Sequence, residues 1–151
     1  MSTFDPSEFL NQSVDGPMST SFVPVPEGDY TAAIAGDPEV RQWTGRQDPS
    51  KTGLALDLEW EIDDPMLRQE LARDRIVVKQ GIMLDLNTNG GLDTGKGRNV
   101  QLGRLREATG LNSGAFNFRM LAGKMAKVSV KHRVAPDGQV FAEVKGVAPL
   151  A

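Results

Sequence analysis

Residues 53–62, GLALDLEWEI, alternate without a break: Leu54, Leu56, Leu58, Trp60 and Ile62 fall on one side, Asp57, Glu59 and Glu61 on the other. Successive side chains of an extended strand point to opposite faces, so this stretch is a strand with one face in a core and one in water. A helix would scatter the same leucines and carboxylates around its circumference. RIVVKQGIMLDL obeys the same period and places Ile76, Val78, Ile82 and Leu84 together. KMAKVSVKHRV, the turn residues Ala135-Pro136-Asp137-Gly138 and QVFAEVKGV read as a β-hairpin. The core is therefore built mainly between strands.

Upstream, YTAAIA from Tyr30 and VRQW beyond Pro38 form one bent first strand, and TGRQDPSKTG turns the chain into the second. DPMLRQELARD, starting at Asp64, is a short helical connection. GRNVQLGRLREATG repeats Val100, Leu102, Leu105 and Ala108 and stops at Gly110, as one amphipathic helix does. The order β-β-β-α-β-β predicts an all-β fold with one helix, a five-stranded OB-like Greek-key barrel whose helix lies between strands three and four. This domain spans 29–151. Residues 1–28 are an acidic, Ser/Pro-rich N-terminal arm, in which Asp5-Pro6-Ser7-Glu8 can cap one short helix.

The 151 residues suffice for a core without staples, and there are none: the chain has no cysteine. One histidine, His132, provides no histidine metal cluster. No apolar run approaches the ~18 residues of a membrane span, so a soluble intracellular protein with no membrane partner is expected. The net charge of −3 conceals an asymmetry. Residues 1–40 hold seven acids and no Lys or Arg, whereas 96–133 hold nine cations against Glu107 alone, a local +8 that points to a polyanionic partner.

Two motifs invite enzymatic readings. Gly90, Gly95 and Lys96 fit a phosphate-binding P-loop up to its last letter, where Gly97 replaces the hydroxyl that would hold Mg²⁺. A P-loop also needs parallel strands with helical crossovers, and an antiparallel hairpin follows here. Pro136-Asp137 with Glu143-Val144-Lys145 resembles a metal-dependent nuclease signature, but Pro-Asp-Gly is the chemistry of a tight turn. No catalysis and no cofactor or metal is expected, with a Mg-dependent nuclease as a minor alternative.

Single strands are bound by cations that track the backbone and aromatic faces that stack on bases. Trp43 lies between Arg41 and Arg46, with Lys51 beyond, in the loop region that OB-folds use for ligands. The final hairpin carries Lys127, Lys131, Arg133, Phe141 and Lys145 on one face. Arg75, Lys79, Lys96 and Arg98 complete the candidate nucleic-acid-binding set. Asp57, Glu59 and Glu61 oppose it, since a row of carboxylates repels phosphates. His132 follows the inward valines and reads as a satisfied, partly buried side chain.

VPEGDYTAAI, LALDLEWEI, GRNVQLGRLREATGL and MLAGKMAKVSVKHRVAPDGQVFAEVKGVAPL, in order over residues 24–150, resemble phage-encoded single-stranded DNA-binding proteins of the OB-fold type. The resemblance implies sequence-independent coating of single-stranded DNA during phage replication or recombination, in the cytoplasm of an infected bacterial host. Phage or host replication and recombination proteins, and further copies of the chain, are the implied partners. The acidic arm would compete with DNA for the basic groove or recruit such proteins. A protein-interaction module built on an OB-like barrel is the alternative, because the fold alone does not choose.

Overall fold

The computed structural model describes residues 4–20 and 22–150. In chain order the elements are α1 (Pro6–Leu10), β1 (Gly28–Ile34), β2 (Glu39–Thr44), β3 (Thr52–Ile62), α2 (Pro65–Leu71), β4 (Val77–Met83), α3 (Val100–Ala108), a 3₁₀ turn (Phe118–Leu121), β5 (Met125–Val134) and β6 (Val140–Ala148). The six strands form one sheet in the order β1-β5-β6-β4-β3-β2. An additional antiparallel pairing of β1 with β3 curls that sheet partly into a ring. The seam between β4 and β6 is a single parallel bridge, Lys79 opposite Glu143. This is the expected mostly β, OB-like architecture, with α3 between the third and fourth strands of the barrel.

The bent first strand appears as β1 and β2, which lie end to end along β3: Ile34 is opposite Trp60, and Glu39 is opposite Asp57. Gly36, at φ +70, and Pro38 make the break between them. Gly36 occupies the left-handed region that a side chain disfavours, and Pro38 has no N–H to give to a ladder.

Strand parity fills the core. Leu56, Leu58, Trp60 and Ile62 of β3 are buried against Ile76, Val78, Ile82 and Leu84 around β4, and against Ala126, Val128 and Val130 of β5. Each aliphatic side chain removed from water in this way contributes roughly 1.5–3 kcal/mol. Gln80 holds the inward position between Val78 and Ile82 and is 8% exposed. A buried amide needs a partner, and its Oε1 accepts the Trp60 Nε1–H at 2.8 Å. α3 closes the end of the barrel with Leu102, Leu105 and Ala108, while Val100, the first residue of the same apolar series, is exposed. Asp64 caps α2 by accepting from the Leu67 amide. No helix among the described residues is long and apolar enough to cross a membrane.

The arm divides into two parts. From Phe4 to Thr20 every described residue is exposed, including all of α1, which Asp5 caps. Residues 23–27, by contrast, lie against the barrel: Val25 is buried, Arg73 donates to the Val23 carbonyl, and the Tyr30 hydroxyl donates to the Pro26 carbonyl. Glu27 accepts the His132 amide at 2.8 Å, and the His132 ring Nε2 lies 2.7 Å from the Val25 carbonyl oxygen. The backbone hydrogen bond from His132, aided by the charges of His132 and Lys131, holds the Glu27 carboxyl below its usual range.

Candidate nucleic-acid interface

The outward parity of four strands meets at one level. Glu59 of β3 is opposite Lys79 of β4, Lys79 is opposite Glu143 of β6, and Glu143 is opposite Lys131 of β5. The row crosses the barrel with alternating charge. Its acids are therefore not the bare fence that the β3 sequence implies. Asp57 is held by Arg41, Nε to Oδ2 at 2.9 Å, and Glu61 pairs with Arg75 Nε. The hydrogen bond to Asp57, reinforced by its charge, raises the Arg41 guanidinium further above its ordinary value, and Glu61 does the same for Arg75. Two of the expected phosphate-binding cations are thus already neutralised, and so are two of the carboxylates that would have repelled phosphate.

Trp43 stands on β2 opposite Gly53. A Cβ built on Gly53 would fall 2.5 Å from Trp43 Cζ2 and 2.7 Å from Nε1, so the indole lies directly over the glycine. Only glycine allows so close an approach. The ring is half-buried, and its Nε1 is sequestered without a hydrogen-bond partner among the described residues. The adjoining turn is closed by Gly45 N–H to the Lys51 carbonyl and by Asp48, which accepts from the Ser50 amide. Arg46 and Lys51 are exposed beside it with no ion pair among the described residues.

The β5–β6 hairpin forms the second cluster. Arg133 and Phe141 are cross-strand partners, with the guanidinium 5.3 Å from the ring centroid. Glu143 forms ion pairs with Lys145, Nζ to Oε1 at 2.7 Å, and with Arg133, Nε to Oε2 at 3.5 Å. Lys127, Lys131 and Lys79 stay exposed without an ion pair among the described residues. At the turn Asp137 accepts the Gln139 amide and Gly138 takes φ +88. Asp137 is therefore engaged in the turn, while Glu143 is engaged by cations, which separates the two halves of the nuclease-like motif.

The glycine-rich loop is tied by its own side chains. Asp93 accepts the Gly95 amide and pairs with Arg98 Nε at 3.1 Å. Asn99 and Asp85 bond reciprocally through side chain and backbone, and Asn99 also donates to the Asp93 carbonyl. An amide that would face a phosphate in a P-loop is here given to Asp93. Lys96 is exposed.

Lys79, Lys131, Arg133, Phe141 and Lys145 are thus brought together, while Arg41, Trp43, Arg46 and Lys51 form a neighbouring group around the β2–β3 turn. Arg75 lies opposite neither group, bound to Glu61. The sequence reading missed Gln101 and Arg104, which α3 places beside β4 and β6 next to Lys145. Their spacing on the helix marks them only as solvent-facing. No family model and no curated protein matches the chain.

Proposed function

We propose that the protein binds single-stranded DNA without sequence preference, acting in phage replication or recombination in the cytoplasm of the bacterial host, with replication or recombination proteins as partners. The observation that carries this reading is the Trp43 indole seated over Gly53 and flanked by Arg46 and Lys51, which form no ion pair among the described residues. A fixed, half-exposed aromatic face beside free cations is what a stacked base and its phosphate require. The cross-strand row supports it, since Lys79 and Lys131 offer charge while Arg133 over Phe141 offers a second platform. OB-like barrels host many activities, so the reading rests on these side chains rather than on the fold.

Titration of the protein with dT oligonucleotides of increasing length at low salt, followed by tryptophan fluorescence, tests it. Quenching that salt reverses and that duplex DNA matches poorly is the expected result. No quenching together with an unshifted gel would refute it. A protein-interaction module is favoured by one separate observation: Phe4, Phe9 and Leu10 are 73%, 61% and 82% exposed on an acidic arm with no base. Apolar surface of that kind, next to Asp5 and Glu8, suits a partner groove rimmed by cations.

A further inference from the structure

Beyond the Lys79–Glu143 bridge β4 and β6 part, and a cleft of about 230 Å³ opens between them beside α3. That is ample space, since a single water needs only roughly 10–15 Å³. Its floor is bare on both strands. Gly81 of β4 and Gly146 of β6 line it, yet neither has a backbone conformation reserved for glycine. A Cβ at Gly81 would come no closer than 3.6 Å to the protein, and at Gly146 no closer than 3.9 Å. Gly146 follows a β-bulge, since Ser129 faces Gly146 and Val130 faces Val144, and bare backbone at both positions also leaves room for the close approach of a ligand.

The walls supply chemistry. Arg104 reaches the cleft from α3 and makes no ion pair among the described residues. Lys145 stands on the other side, and the one acid present, Glu143, is shared between Lys145 and Arg133. The local balance is positive. Gln101 contributes an amide, and Gln80 lines the cleft with its oxygen already taken by Trp60. Hydrogen-bonding amides beside an arginine match the edge of a nucleobase and its phosphate. The larger hollow on the other side of Gly81, about 470 Å³, is lined by Asp37, Glu39, Asp57 and Glu59 against Lys79, and its charge disfavours phosphate.

We infer that the β4–β6 cleft is a nucleotide pocket: one base of a bound single strand enters between Gly81 and Gly146, and its phosphate rests on Arg104. This deepens the proposed function and rests on it. Gln101→Ala and Arg104→Ala, both at exposed positions of α3 that line the cleft, test it, with thermal melting as the check on folding. Each is expected to weaken binding of a dT oligonucleotide about tenfold, the scale of losing one stacked base. In NMR titration with 5′-dTMP the Gly81, Gly146 and Gln101 signals of the wild-type protein are expected to move.

Wild-type protein that binds dT while folded Gln101→Ala and Arg104→Ala proteins bind it equally well would overturn the pocket and leave the proposed function standing. Failure of the wild-type protein itself to bind any single strand would remove both readings, which is how the two failures are told apart.

Discussion

Trp43 and Gly53 face each other across the β2–β3 ladder, and the indole fills the space that any side chain at position 53 would need. Gly53→Val must therefore lift the ring off the strand. The expected outcome is a red-shifted tryptophan emission and a loss of single-strand affinity close to that of Trp43→Ala, about 1–3 kcal/mol if one base stacks there. Oligonucleotide titrations of the three proteins check this. Full affinity in Gly53→Val would remove Trp43 from the interface.

The paired and unpaired cations make a graded prediction. A single-strand complex releases counterions, so log affinity falls against log salt with a slope of about −0.7 per phosphate neutralised. Lys79→Ala and Lys131→Ala are each expected to flatten that slope by about one such step, because neither lysine is held in an ion pair among the described residues. Arg75→Ala should change it less, since Glu61 already compensates Arg75. Affinities measured at several salt concentrations decide, and equal effects from all three would refute the distinction.

Trp60 and Gln80 form a buried polar pair inside an apolar core. Trp60→Phe strands the Gln80 oxygen and is expected to cost about 1–3 kcal/mol of stability from the unpaired acceptor, besides the smaller side chain. Adding Gln80→Leu should recover part of that loss, because removing both partners is cheaper than removing one. Urea unfolding of the two single variants and the double variant measures the coupling. Strictly additive losses would show that the hydrogen bond contributes nothing.

Acid should loosen the docked end of the arm. The His132 amide and neighbouring positive charge depress the Glu27 carboxyl in the folded protein, so the carboxylate is bound more favourably than the acid. Its contribution is present at neutral pH and is lost as pH falls through the depressed value, below the ordinary carboxylate range. The His132 amide signal is expected to move at that point in the wild-type protein. In Glu27→Gln the transition should be absent, and identical profiles for both proteins would refute the assignment.

The alternation in 53–62 made β3 and its inward face legible, and the same period located β4 and the terminal hairpin. Trp60 was readable as core because it shares parity with three buried leucine or isoleucine neighbours. Gln80 was not, because its acceptance inside depends on Trp60, a contact made across the β3–β4 ladder. The fates of Arg41 and Arg75 were hidden for the same reason: their acids come from β3, and strand register is a tertiary property. Val25 looked like one more isolated apolar residue among prolines, yet it is buried in the core. Gln101 and Arg104 gained meaning only when α3 was laid beside two diverging strands.

A ring closed by one bridge has a preferred place to breathe. Four of its five joints are ladders of several paired residues, whereas the Lys79–Glu143 joint is one residue wide. Local opening draws on the weakest cooperative unit, so the amide protons along the facing edges of β4 and β6 should exchange with solvent sooner than those of the β3–β4 ladder. The barrel can thus widen along that edge while its other ladders stay whole, and whatever lodges there acts as a wedge that sets its girth.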